Sequence, residues 1–154
     1  MIVYLDTSAV VPILIAEPSS EMCRRIWDGA DRRVSSQLAY VEVAAALAMA
    51  ERRGRLTAEQ HDQAWANFVA LWPDIDVVDL TDELAARAAD LTRPRALRGY
   101  DAVHCASVVM INDADVIAAS GDAQLLTAWQ DLGVTTLDTH QDFSSPPGGQ
   151  TRRH

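Results

Sequence analysis

Four acidic residues stand where a solvated charge is not expected: Asp6, Glu42, Asp101 and Asp122. Asp6 follows the apolar run Ile2-Val3-Tyr4-Leu5, which reads as a buried strand. An acid at that end of a strand lies where open parallel α/β sheets bind ligands, although it could equally cap the next helix. Glu42 falls in a helical stretch with Leu38, Ala45 and Met49 at i−4, i+3 and i+7. Those positions share its face, so an apolar stripe is expected around it. A carboxylate there must be paired, protonated or bound to a cation. An arginine partner accounts for it as well as a metal does. Asp101 opens the apolar helical segment 102–111, where Asp is also a preferred N-cap. Asp122 follows the strand-like segment 116–119, with Ser120 two residues before it, and it too could be a helix cap. Asp113 and Asp115 precede that strand and belong to the opposite edge.

Four converging carboxylates repel one another. Hard divalent cations relieve this, and Mg²⁺ or Mn²⁺ prefers carboxylate and water oxygens. No His/Cys cluster suits zinc. His104, one turn beyond Asp101, reads as a satisfied core histidine. An acid cluster around one or two hard cations suits phosphodiester hydrolysis: the ion lowers the pKa of a water, orients it and stabilises the leaving oxygen.

The elements that must position these acids alternate. Strands are expected at 2–5, 33–35, 75–80, 116–119 and 134–137. Helices are expected at 8–15, from Ser19 or Ser20 to Gly29, at 37–53, from Thr57 to Trp72, from Thr81 to about Thr92, at 102–111 and at 123–132. Thr57 and Gln60 match a capping box, and Gly54 is placed to end a helix. Residues 94–99 read as an Arg-rich loop. This alternation predicts an α/β fold, a three-layer sandwich around a mainly parallel sheet. One domain over 1–143 is expected, with 144–154 a disordered tail because it lacks apolar residues.

With 154 residues, 49% apolar and 23% charged, the chain has an ordinary globular balance. Acids number 22 and basic residues 13, a net charge of −9. All the basic residues are Arg. The lack of Lys excludes Schiff-base chemistry and a phosphate-loop lysine. Bulk electrostatics would not draw nucleic acid to it, but a nuclease carrying its own cations is compatible. Cys23 and Cys105 have no metal or disulfide-framework spacing and read as buried thiols in a reducing compartment. Asp6 interrupts the apolar N-terminal stretch and no basic segment precedes it, so a signal peptide is not expected. The uncharged run 7–16 is too short to span a bilayer. A soluble, cytoplasmic protein with no membrane association is expected.

The residues that set the chemistry form four motifs: Val3-Tyr4-Leu5-Asp6-Thr7-Ser8, Ser35-Ser36-Gln37-Leu38-Ala39-Tyr40-Val41-Glu42, Leu97-Arg98-Gly99-Tyr100-Asp101-Ala102-Val103-His104, and Ala119-Ser120-Gly121-Asp122. In order and separation the chain resembles a PIN-domain ribonuclease, and within that family a VapC-type toxin of a toxin–antitoxin pair. The resemblance implies that Asp6, Glu42, Asp101 and Asp122 form a Mg²⁺/Mn²⁺ site that cleaves RNA. Asp6 and Asp101 would be direct ligands. Glu42 would bind through water or accept a proton, and Asp122 would complete the site or hold a second ion. Thr7 and Ser120 are implied as supporting hydroxyls. Ser120-Gly121-Asp122 departs from the more usual Thr-x-Asp but keeps the hydroxyl. Water would attack phosphorus in line and leave a 5′-phosphate and a 3′-hydroxyl. A homodimer and a cognate antitoxin are also implied, with a basic antitoxin side chain entering the acid pocket.

RNA must still approach an acidic protein. Arg93, Arg95 and Arg98, just before Asp101, are candidate phosphate contacts, and a solvated loop accounts for them equally well. Arg24, Arg25, Arg32, Arg33, Arg52, Arg53 and Arg55 could extend the surface, with Arg152 and Arg153 poorer candidates. Trp27, Trp65 and Trp72 could line a groove for a partner or fill the core. The rival readings are a non-catalytic PIN-like module that binds RNA or protein, a haloacid-dehalogenase-type phosphatase and a DNA-directed nuclease. The phosphatase fits poorly, because Ser8 stands where that class needs a second Asp.

Overall fold

The computed structural model describes residues 1–111 and 113–141. The tail expected at 144–154 lies outside the described residues. The strands are β1 (Ile2–Leu5), β2 (Arg32–Ser36), β3 (Ile75–Val78), β4 (Val116–Ser120) and β5 (Thr135–Asp138). The helices are α1 (Thr7–Leu14), α2 (Ser20–Gly29), α3 (Gln37–Arg52), α4 (Ala58–Leu71), α5 (Asp82–Arg95), α6 (Gly99–Ile111) and α7 (Ala123–Asp131). A 3-10 turn, Trp72–Asp74, carries α4 into β3.

All neighbouring strands pair in parallel, in the order β3-β2-β1-β4-β5. Parallel pairing requires crossovers, and the helices supply them. Side chains on β1 alternate between the two faces, as a strand dictates. Val3 and Leu5 pack with Val10, Trp27, Leu47 and Phe68 from α1 to α4. Tyr4 packs with Leu84, Ala106 and Trp129 from α5 to α7. The result is the expected three-layer α/β/α sandwich. The strand order reverses between β1 and β4, and in such sheets the crevice at that switch point is the ligand site.

Local chemistry explains most boundaries. Thr57 Oγ1 accepts from Gln60 N at 3.1 Å, and Gln60 Oε1 accepts from Thr57 N at 2.9 Å, the expected capping box. Gly54, with φ of +75°, follows α3 and its C-cap Arg53. Helix α5 corrects the expectation. It runs through Pro94 to Arg95 and stops at Ala96, which has left-handed φ of 52°. Leu84, Ala88 and Leu91 are buried or half-buried against α6 and α7, and this packing holds the last turn despite the proline. Pro94 only removes one hydrogen bond near the end of the helix. Arg93 and Arg95 therefore sit on a helix rather than in a loop.

The tryptophans are mainly structural. Trp27 is buried beneath the Arg33 guanidinium, 4.8 Å from the ring centroid. Trp65 and Trp72 pack edge-on to Tyr40, at 5.4 and 5.1 Å. Cys23 and Cys105 are free and buried, and burial pushes both thiols up to about 11. Among the described residues, no helix is long and apolar enough to cross a membrane.

Candidate active site

Asp6 leaves β1 beside β4, its N–H donating to Ala119 O at 3.3 Å. It stands at the N-cap position of α1, yet its carboxylate takes no helix N–H. Ser8 Oγ donates to Oδ1 at 2.7 Å and Ser120 Oγ donates to Oδ2 at 2.9 Å. The side chain is 5% exposed. Burial pushes its carboxyl above the ordinary value of 3.8, partly offset by His104 and the two hydroxyls.

Ser8 and Ser120 tie this cluster to the β4–α7 turn. Gly121 N–H donates to Ser8 Oγ at 2.7 Å, and Asp122 N–H donates to Ser120 Oγ at 2.9 Å. Asp122 caps α7, the alternative its sequence position left open. Its Oδ1 accepts from Gln124 N and Leu125 N at 2.9 and 3.1 Å. Its other oxygen faces Arg98 Nη2 at 3.6 Å.

Glu42 lies on α3, but the buried stripe of that helix is Ala39, Val43, Leu47 and Ala50. Ala45 and Met49 are exposed, so the apolar face expected around Glu42 is not the core face. Glu42 sits at the edge of that stripe. Thr7 Oγ1 donates to Oε1 at 3.0 Å, and His104 Nε2 lies 2.6 Å from the same oxygen. Among the described residues its partner is therefore His104, and no arginine pairs with it.

Asp101 is the third residue of α6 rather than its cap, since the helix begins at Gly99. Its side chain is 7% exposed and accepts from Arg98 Nε at 3.1 Å. Burial raises its carboxyl, as does Asp122, against the lowering contact with Arg98. Arg98 also lies 4.7 Å from the Tyr100 ring centroid.

All four predicted acids line one open cavity of about 350 Å³, together with Thr7, Ser8, His104, Arg98 and Tyr100. Ser120 reaches it through its bond to Asp6. Arg93 and Arg95 are not brought to it, and Arg95 pairs with Asp131 at 2.9 Å. Glu17 and His140 also line the cavity and were not anticipated. The donor set is carboxylate and hydroxyl oxygen, which suits a hard cation rather than a soft one. Among the described residues, no three His, Cys, Asp or Glu side chains are gathered closely enough to grip one ion. Asp101 and Asp122 face the Arg98 guanidinium instead.

The sequence profile of the PIN domain matches residues 3–128. The chain belongs to the PIN-domain family. Ribonuclease VapC45 of Mycobacterium tuberculosis is 40% identical over 141 residues, covering 92% of this chain and 98% of that one. Among solved structures, VapC20 of Mycobacterium tuberculosis, a sarcin–ricin loop cleaving toxin, superposes with a TM-score of 0.64 at 17% identity. It covers 82% of this chain and 94% of its own. A toxin–antitoxin complex from Klebsiella pneumoniae gives 0.64 at 12% identity, over 91% and 99% of the two chains. These two likenesses carry the fold.

In this PIN domain, Ser8 and His104 bond two of the four acids, and neither was among the residues expected at the site. Ser8 stood beside Asp6 in the first motif, and the i+2 spacing of a hydroxyl after an acid was the available signal. His104 had only its position one turn past Asp101.

Proposed function

We propose that this chain is a Mg²⁺- or Mn²⁺-dependent endoribonuclease, the cytoplasmic toxin of a toxin–antitoxin pair. The observation that carries the reading is the arrival of Asp6, Glu42, Asp101 and Asp122, from four separate segments, at one cavity on the switch point of the sheet. The 40% identity to a VapC ribonuclease over most of both chains supports RNA as the substrate.

A divalent ion bound among these oxygens would lower the pKa of a water and stabilise the leaving oxygen. Asp6 and Asp101 are the residues proposed to hold it, with Asp122 completing the site. Ser8 and Ser120 fix both oxygens of Asp6, which limits its rotation. Thr7 anchors Glu42 through Oε1, and its second oxygen would bind the ion through water or accept a proton. Arg98 is 63% exposed and can swing from Asp101 to a phosphate oxygen of the substrate. The antitoxin is read as covering this cavity with a basic side chain, the chemistry Arg98 already displays toward the same acids. A homodimer is the proposed assembly.

The test is incubation of the antitoxin-free protein with total bacterial RNA, in Mg²⁺ or Mn²⁺ against EDTA, with Asp6→Asn alongside. Discrete metal-dependent fragments that the variant does not produce are expected. Cleavage by Asp6→Asn at the wild-type rate would sink the assignment. No cleavage by a folded, metal-binding protein would favour a binding module.

A further inference from the structure

A chain of polar groups leads from Glu42 into the core. His104 is 2% exposed and Tyr4 is fully buried. The Tyr4 hydroxyl lies 2.7 Å from His104 Nδ1, and His104 Nε2 lies 2.6 Å from Glu42 Oε1. Tyr4 belongs to β1, Glu42 to α3 in one helical layer, and His104 to α6 in the other. Three elements therefore meet through side-chain polar atoms, with the buried Ser107 hydroxyl beside Tyr4.

We propose that His104 is a positioning residue for Glu42: its Nε2–H holds Oε1, the Tyr4 hydroxyl holds its Nδ1, and the second carboxylate oxygen is thereby presented to the metal and RNA. This rests on the nuclease reading of Glu42.

The donor pattern follows from what each group can give. A carboxylate oxygen accepts, so a hydrogen bond across the 2.6 Å contact at Oε1 places a hydrogen on Nε2. Burial raises the Tyr4 phenol well above its ordinary value, so the hydroxyl keeps its hydrogen and can donate it to Nδ1. The ring is 2% exposed and packs edge-on to Tyr4, with centroids 5.9 Å apart, which restricts its rotation. Thr7 Oγ1 supplies the second anchor on the same oxygen at 3.0 Å. Both anchors take Oε1 and neither takes Oε2, which is how an outer group orients a ligand without touching what the ligand binds.

The test compares wild type, Tyr4→Phe, His104→Gln, His104→Asn and Glu42→Gln. Mn²⁺ affinity is read by titration with electron paramagnetic resonance, and the His104 nitrogens by ¹⁵N NMR of the metal-free protein. Gln can return an N–H near the Nε2 position, whereas Asn can reach only toward the Nδ1 side. Wild type should show Nε2 protonated. His104→Gln should bind Mn²⁺ nearly as wild type does, and His104→Asn about tenfold more weakly. Tyr4→Phe should weaken binding in the same direction and broaden the ring signals, and it serves where a His104 variant does not fold. A bare Nε2 in wild type overturns the proposal. So does wild-type Mn²⁺ affinity in both His104→Asn and Tyr4→Phe while Glu42→Gln is weakened. If wild type binds no Mn²⁺ at all, the nuclease reading fails and this inference falls with it.

Discussion

Arg98 Nε donates to Asp101 Oδ2 at 3.1 Å, placing a guanidinium where a divalent cation would meet the same carboxylate. Its Nη2 lies 3.6 Å from Asp122. Arg98→Gln should therefore tighten Mn²⁺ binding, because one competing charge is gone, while raising KM for RNA, because a phosphate contact is gone too. The tightening should be small and should shrink with added salt, since the side chain is largely exposed. Isothermal titration at two ionic strengths, beside cleavage kinetics, checks both directions. Unchanged KM would remove Arg98 from the substrate surface.

Asp6 gives a pH signature in the absence of metal. Burial raises its carboxyl above 3.8 in the folded protein, so the unfolded chain releases that proton first. Between the ordinary and the raised value, the folded state holds more protons than the unfolded state. Stability attributable to Asp6 therefore falls as pH rises through that window and stays lowered at neutral pH. Asp6→Asn carries no such charge. In EDTA its melting temperature should equal or exceed that of wild type at pH 7, and the difference should close below the ordinary carboxylate range. Asp101 is raised for the same first reason, and Asp101→Asn should behave alike. A neutral-pH loss of stability in both variants would refute the account.

The acids that end strands were legible because β1 and β4 are short apolar runs whose C-terminal edge is fixed by chain direction. Asp6 and Asp122 could hardly fall elsewhere. Glu42 was reached partly for the wrong reason. Its expected apolar neighbours Ala45 and Met49 face solvent, and the core stripe runs through Val43 and Leu47. On a helix so rich in alanine, several faces look apolar, and only packing against α1 and α4 decides among them. Asp101 looked like a cap because its position relative to Gly99 depends on where α5 ends, which proline chemistry alone misplaced. His104 could not be separated from a core histidine by sequence, since its partners Tyr4 and Glu42 lie 100 and 62 residues away.

Ala96 offers a test of the α5 ending that leaves the cavity untouched. Its φ of 52° is left-handed, and a side chain there costs about 1–2 kcal/mol. Glycine removes that strain but loosens the unfolded chain by about 0.4–1 kcal/mol. The first effect is the larger or equal, so Ala96→Gly should stabilise by between zero and about 1.5 kcal/mol, a rise of roughly 2–4 °C per kcal/mol for a chain of this size. Calorimetry measures it. A destabilised variant would mean that the left-handed ending is not adopted.

Gly121 sits between the two halves of the site, and its neighbours leave no room for a side chain. A Cβ would stand 2.8 Å from His140 Nε2 and 2.9 Å from Thr139 Oγ1. Its N–H also donates to Ser8 Oγ at 2.7 Å, so any shift of this backbone moves a hydroxyl that holds Asp6. His140 is exposed and can swing aside, but Thr139 is 2% exposed and cannot. Gly121→Ala should therefore cost about 1–3 kcal/mol by overpacking and slow cleavage further than the stability loss explains. Adding His140→Ala separates the two neighbours. If Thr139 is the obstacle, the double variant stays as unstable as Gly121→Ala. Full recovery in the double variant would assign the clash to the flexible ring and leave the Ser8–Asp6 geometry independent of this turn.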